Sequence, residues 1–305
     1  MTSPQKSNPK VKKAGRLPQA SASLSAGSHA GESTGWPSLK PKWKLQVNTI
    51  IRSQIMTVNE LFTEEECRRV IEALEHVKTA DGHALRFETT SQVPKRGEAF
   101  RYNDRISVCD PVFAQTLWAN TGLKTACEAW LREQGAHPQH TRCWGLNPNL
   151  RFYRYRVGHK FEKHFDQSVQ ISKFDLLPSR TESEMPPENL WTEYTLLIYL
   201  TGSKDGPQKS SKQKVDRADC RGISGSLITA EADQEEPLQG GETVFYDTPI
   251  RSQKRLTREH SIAASVRPVA GLALIHRHGS QCLLHEARQV VSGAKYVLRS
   301  DLIFG

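Results

Sequence analysis

From Leu150 onward the chain is written in short β-prone runs broken by turn residues, and this rhythm constrains the fold more than any other feature. The runs are Leu150 to Tyr155, Phe161 to Phe165, Tyr194 to Leu200, Thr243 to Tyr246, Leu272 to His276 and Tyr296 to Phe304. Short strands cannot bury a face alone, so a series of them must stack into a sandwich or close into a barrel. The stretch before them has a different period. Thr63 and Glu66 make a capping box, and Cys67, Val70, Ile71, Leu74 and Val77 follow at helical spacing. Asp110-Pro111 opens a second helix that Gly122 ends, and a third runs from Leu123 to Glu133, stopping near Gly135. The expected class is α+β with a mainly β core and N-terminal supporting helices.

Charge sits mostly outside this core. The net charge is +9, and residues 1–44 hold eight basic residues against the single acid Glu32, so seven of the nine charges belong to the tail. The nearly neutral remainder does not demand a basic face for a phosphate backbone, which argues against a nucleic-acid partner. Residues 1–46 are rich in Ser, Pro, Gly and Lys and are expected to be disordered, because such a composition does not offset its ordering entropy. Within them, Pro9-Lys10-Val11-Lys12-Lys13 reads as a nuclear-import patch, as part of an organelle transit peptide, or as plain solvated chain. A helical support region is expected over 47–140 and a β domain over 141–305, with 202–240 as a flexible insertion dense in Lys, Asp, Glu, Ser and Gln.

The six cysteines (Cys67, Cys109, Cys127, Cys143, Cys220 and Cys282) form no C-x-x-C pair, and no apolar leader opens the chain. A reducing compartment is expected, cytoplasmic or nuclear with organelle import left open, and secretion is not. No apolar run approaches the roughly 18 residues that cross a bilayer, so no membrane partner is expected.

His164-Phe165-Asp166 places an imidazole and a carboxylate two apart, so in an extended strand both leave one face and can hold a cation. Eleven histidines make a chance H-x-D easy, and the triplet gains weight only from its company. That company is His285 and, ten residues further, Lys295. Two imidazoles and a carboxylate suit Fe(II) and leave positions open for a chelating cosubstrate and dioxygen, while a cation beyond them can grip a distant carboxylate. Gly240-Gly241, opening the run Gly240 to Phe245, permits a tight turn and close packing beside a ligand.

Four ordered pieces, Tyr155 to Asp166, Tyr194 to Leu200, Gly240 to Phe245, and His285 with Lys295, give the segment 145–305 a resemblance. It resembles the catalytic domain of the prolyl 4-hydroxylase branch of the Fe(II)/2-oxoglutarate-dependent dioxygenases. Gly97 to Arg105 is similar to the approach segment of intracellular members. The resemblance implies a double-stranded β-helix (jelly-roll) barrel with iron inside its open end. It implies that His164, Asp166 and His285 bind Fe(II), that Lys295 pairs with the far carboxylate of 2-oxoglutarate, and that Tyr155 supports that cosubstrate. Thr243 lines the pocket or packs beneath the metal, and Arg299 serves the cosubstrate if Lys295 points elsewhere. Dioxygen, succinate, CO2 and ascorbate as reductant come with the family chemistry. His276, His278 and His159 are expected to stay off the metal, because the family places its distal ligand at His285.

Secreted members carry a tryptophan a few residues after the lysine where this chain has Asp301, which points to an intracellular type and a prolyl or other side chain of a protein or peptide substrate. An oxygenase acting on nucleic acid or a small molecule, and a non-catalytic β-barrel binding module, are the alternatives. The presence of all four chemical residues argues against the last.

Overall fold

Alternation along the long strands decides the architecture. A computed structural model describes residues 22–23, 35–76, 84–91, 93–94, 97–134, 142–176, 186–202, 236–247 and 261–305. In chain order its principal elements are β1 (Val47–Ile51), β2 (Ile55–Val58), α1 (Glu64–His76), β3 (Asp104–Cys109), α2 (Pro111–Asn120), α3 (Leu123–Glu133), β4 (Cys143–Leu146), β5 (Asn149–Tyr155), β6 (Lys160–His164) and β7 (Leu190–Tyr199). Then come β8 (Thr243–Tyr246), β9 (Ile262–Val266), β10 (Ala273–Arg277), β11 (Leu284–Ala287), β12 (Val290–Ser292) and β13 (Lys295–Phe304).

The larger sheet runs β3–β5–β13–β7–β10–β2–β1, antiparallel at every step, with β4 paired to the end of β13. The smaller sheet runs β9–β8–β11–β6 and ends on the two-residue strand Arg101–Tyr102. Tyr194, Leu196 and Ile198 of β7, Ala273 and Ile275 of β10, and Tyr296, Leu298 and Leu302 of β13 join the core that also holds Val70, Leu117 and Trp130 of the three helices. The intervening residues point the other way, since successive side chains leave opposite faces. Tyr199, Leu274 and Val297 meet Phe245, Ala264 and Val266 of the smaller sheet in a second core. Helices therefore cover one face of the larger sheet, and the smaller sheet faces the other.

The capping box forms as expected: the Glu66 amide donates to Thr63 Oγ1 at 3.1 Å and the Thr63 amide to Glu66 Oε2 at 2.8 Å. Asp110 caps α2 by accepting from the Phe113 amide at 2.8 Å. Gly122, expected to end α2, instead stands at the N-cap of α3 with φ +86, while Thr121 closes α2. A side chain there would strike the Lys42 carbonyl oxygen at 2.1 Å, so the close approach of residue 42 requires glycine.

Two expectations change. The region 47–140 is not helical support alone, because β1, β2 and β3 extend the larger sheet on both sides. The tail also ends earlier than 46. The Trp36 ring stacks on Phe113 and Phe152 with centroids 4.6 and 5.1 Å away, and its Nε1 donates to Asp110 Oδ2 at 2.9 Å. Glu66 accepts from the Lys40 amide at 2.7 Å and pairs with Lys42 Nζ at 2.8 Å, so one carboxylate both caps α1 and fastens this segment. The import patch at 9–13 and residues 203–235 of the insertion lie outside the described residues, as do Val77, Gly135 and Cys220. The other five cysteines are free, and among the described residues no helix is long and apolar enough to cross a membrane.

Candidate metal centre

The face of the larger sheet turned toward the smaller one carries the chemistry. Tyr153 and Tyr155 of β5, Thr195 of β7, His276 of β10, and Lys295, Arg299 and Asp301 of β13 share it by the same two-residue period that sends their neighbours to the helices. Register brings them abreast: Thr195 lies opposite both His276 and Asp301, and Lys295 opposite Tyr155. From the smaller sheet, β6 and β11 pair so that His164 and His285 are cross-strand partners. His164 is the last residue of β6, so Asp166 projects from the turn beyond it and not from an extended strand as the spacing suggested. The turn is pinned. The Asp166 amide donates to Cys282 Sγ at 3.3 Å and its carbonyl accepts from the Gly279 amide at 3.0 Å.

His164, Asp166 and His285 bring ligand-type atoms within 4.8 Å of one another. His164 Nε2 stands 3.9 Å from Asp166 Oδ1, and His285 Nε2 stands 3.7 Å from Asp166 Oδ2. His164 Nδ1 meets the Glu162 carbonyl at 2.7 Å and His285 Nδ1 meets the Leu283 carbonyl at 2.9 Å. A carbonyl only accepts, so each Nδ1 carries the hydrogen and the neutral ring presents a bare Nε2 to the carboxylate. Burial keeps both rings neutral, and with the neighbouring His285 it takes the His164 pKa down to about 3. This orientation, with Nδ1 held and Nε2 free, is how metal-ligating imidazoles are presented.

Asp166 is held as an anion. Burial alone would raise its pKa, but the Arg299 guanidinium keeps it well below the usual carboxylate range. Arg299 Nη1 donates to Asp166 Oδ1 at 3.0 Å and Thr195 Oγ1 to Oδ2 at 2.9 Å. The other guanidinium nitrogen faces Asp301 Oδ1 at 3.3 Å, and Asp301 also pairs with Arg151. Arg299, weighed from sequence as a grip for the cosubstrate, is thus engaged with two carboxylates of the chain.

Lys295 is 2% exposed and has no carboxylate within ion-pair distance among the described residues. Its Nζ donates to the Gly241 carbonyl at 2.5 Å and lies 5.2 and 5.3 Å from the ring centroids of Tyr155 and Tyr199. Burial brings its pKa down to about 7, opposed by the charge of Glu242. Gly241 has φ +74, and a Cβ there would stand 3.0 Å from Lys295 Cδ, so the glycine pair leaves room for the lysine stem. Thr243 shares a 2.7 Å hydrogen bond with the Tyr199 hydroxyl. Tyr155, His164, Thr243, His276, His285 and Lys295 all line one cavity between the sheets.

Other residues of the site were not singled out in the sequence. Arg101 lies across the Tyr153 and Phe161 rings, 4.7 Å from each centroid, on the wall of the same cavity. Thr195 belonged to a recognised strand but gave no polar signal of its own. His276, expected to stay away, has Nε2 3.8 Å from Asp166 Oδ2. His278 hydrogen-bonds Thr195 and Thr192, and the His159 ring packs at a tilt against Tyr102.

No family model and no curated protein matches the chain. Among solved structures it is similar to a viral collagen prolyl hydroxylase from Paramecium Bursaria Chlorella virus-1 in its 2OG complex, at 13% identity over 83% of this chain and 97% of that one, TM-score 0.42. It is similar to a Pseudomonas putida prolyl-4-hydroxylase at 14% identity over 82% and 92%, TM-score 0.41. It is also similar to HygX from Streptomyces hygroscopicus with nickel and 2-oxoglutarate bound, at 13% identity over 83% of each chain, TM-score 0.38. These likenesses are distant, and the chemical reading of the site rests on its own side chains.

Proposed function

We propose that the chain is an Fe(II)- and 2-oxoglutarate-dependent dioxygenase of prolyl 4-hydroxylase type, which hydroxylates a prolyl or other side chain of a protein substrate. Its two facing sheets are read as a jelly-roll barrel with the site at one end. The observation that carries the reading is the pairing of a donor set with a cation in one cavity: His164 and His285 turn bare Nε2 atoms on Asp166, while Lys295 lies buried with no carboxylate within ion-pair distance among the described residues. The residues fit a divalent metal, since oriented imidazoles and an ionised carboxylate are ligands that ferrous iron accepts while retaining open positions.

When bound, iron and 2-oxoglutarate supply the oxidising chemistry. The chain supplies orientation and charge. His164, Asp166 and His285 hold the ion. Arg299 and Thr195 fix the plane of the Asp166 carboxylate. Lys295, in its protonated form, neutralises the distal carboxylate of the cosubstrate, which would be costly to bury unpaired. Tyr155 borders the same position, and Thr243, tied to Tyr199, shapes the wall. The segment similar to the approach region of intracellular members lies beside the site, with Arg101 opposite Phe161 on the edge of β6. That placement supports a polypeptide substrate entering over this edge, with ascorbate serving to restore ferrous iron.

The test is incubation with Fe(II), ascorbate and labelled 2-oxoglutarate. Wild type is expected to form succinate slowly without a substrate, and His164→Ala and Asp166→Ala to form none. Equal release by wild type and His164→Ala overturns the enzyme class. A peptide that gains one oxygen, with the altered side chain located, identifies the substrate.

A further inference from the structure

The wall of the cavity between the sheets carries three cations, Arg101, Lys295 and Arg299, and two carboxylates, Asp166 and Glu286. Both carboxylates are committed. Asp166 accepts from Arg299 and the Thr195 hydroxyl, while Glu286 accepts from the Tyr246 hydroxyl and has Arg288 3.7 Å away. Lys295 is matched to the far carboxylate of the cosubstrate, whose α-keto acid end belongs to the metal. Arg101 is left over. No carboxylate lies within ion-pair distance of it among the described residues, and its enclosed Nε has no hydrogen-bond partner. Asp104, the next acid along its own segment, is paired with Arg154 and Arg156. A cation drawn out of water needs an anion to offset its lost hydration, and aromatic faces supply only part of that.

The charge is also held in place. The Arg101 guanidinium lies 4.7 Å from the ring centroids of both Tyr153 and Phe161, and the Phe161 ring stacks on the His164 imidazole at 3.5 Å with 16° between the planes. The free cation thus stands one ring away from a metal donor. Tyr153 does not cancel it: burial would raise that phenol, Arg101 and the arginines nearby bring it to about 8, and at pH 7 it stays mostly uncharged.

We propose that Arg101 binds the side-chain carboxylate of an aspartate or glutamate beside the hydroxylated residue, so that the substrates are acidic peptides. The inference rests on the reading of this chain as an oxygenase of polypeptides and gives that reading a substrate class. A guanidinium fork meets a planar carboxylate with two parallel hydrogen bonds. A single free cation balances a single negative charge, whereas a phosphate carries close to two at pH 7 and calls for a second cation. Pairing of Arg101 with Phe161 across the strands fixes the backbone and the two rings confine the side chain, so little freedom is lost when the anion arrives.

The test uses full-length protein loaded with 2-oxoglutarate and Zn(II), which has no redox chemistry. It is offered random peptides flanked by fixed residues at both ends, and the retained sequences are read. Wild type is expected to enrich Asp and Glu, Arg101→Lys to keep a weaker enrichment, and Arg101→Gln to lose it with 2-oxoglutarate affinity unchanged. The basic segment 1–44 is the same in all three proteins, so a difference between them belongs to residue 101. Changing the enriched acid of a retained peptide to its amide should weaken binding to wild type at least about tenfold, as for a hydrogen bond to a charged group, and should not affect Arg101→Gln. No acidic enrichment in wild type, or equal enrichment in Arg101→Gln, overturns the role of Arg101 and leaves the enzyme class standing. Loss of 2-oxoglutarate affinity in Arg101→Gln with acidic enrichment intact assigns the residue to the cosubstrate and overturns it too. If wild type retains no peptide, the polypeptide reading falls with it, while succinate release still reports the enzyme class.

Discussion

Lys295 must be a cation to hold a dicarboxylate, yet burial brings its pKa down to about 7 from the ordinary lysine value of 10.5. The unfolded chain therefore binds more protons than the folded one between pH 7 and 10.5, and the Lys295 contribution to stability rises with pH across that window. For 2-oxoglutarate the sign is opposite. Above pH 7 the amine must take up a proton as the ligand binds, so apparent affinity is expected to weaken by up to about tenfold per pH unit. Calorimetry at pH 8 in buffers of different ionisation enthalpy should register the proton uptake, and Lys295→Arg should remove it. A second expectation concerns Thr195, whose hydroxyl bonds the buried Asp166 carboxylate. Thr195→Val should cost about 1.5 to 3 kcal/mol in urea unfolding, the range for a hydrogen bond to a charged group. His164, Asp166, His285 and Lys295 were legible in the sequence because their types and order suit one chemistry. His276 was set aside in the sequence because the resemblance places the distal ligand at His285. Ala273 and Ile275 share one face of β10, so Leu274 and His276 share the other.

Among the elements, β7 displays the division of labour most clearly. Leu196 and Ile198 are fully buried against the helices, while Thr195 and Tyr199 face the smaller sheet. Ile198→Ala is expected to lower unfolding free energy by about 2 to 5 kcal/mol with Fe(II) affinity of the folded fraction unchanged, since the cavity opens on the far side of the sheet from the metal. Chemical denaturation and metal titration of the same variant check both halves. The long strands from β5 onward were visible in the sequence as β-branched and aromatic runs. β2 was not, because Ile55–Val58 is buried on both faces and shows no alternation. β3 does alternate, with Asp104, Ile106 and Val108 buried, but it stands between helical segments that set the local reading. The strand expected over Phe161 to Phe165 ends one residue earlier, at His164, so Asp166 stands in the segment beyond it.

At the scale of the whole molecule, sparse anchors decide what composition averages away. Trp36 lies in a polar, proline- and serine-rich stretch, yet its ring fills the space between Phe113 and Phe152 and its indole bonds the residue that caps α2. Trp36→Ala should cost about 3 to 5 kcal/mol, measured by denaturant unfolding, with the loss shared by α2. The same packing holds three strands of reading together: helices on the outer face, a second sheet on the inner face, and a charged centre enclosed between them. If that centre is a metal site for an α-keto acid, ferrous protein mixed anaerobically with 2-oxoglutarate should develop a saturable visible charge-transfer absorption at one equivalent. The absorption should be absent in His285→Ala and Asp166→Ala and should require more 2-oxoglutarate in Lys295→Ala. A band of equal strength in wild type and His285→Ala, or no band in wild type that has bound one Fe(II), would contradict it.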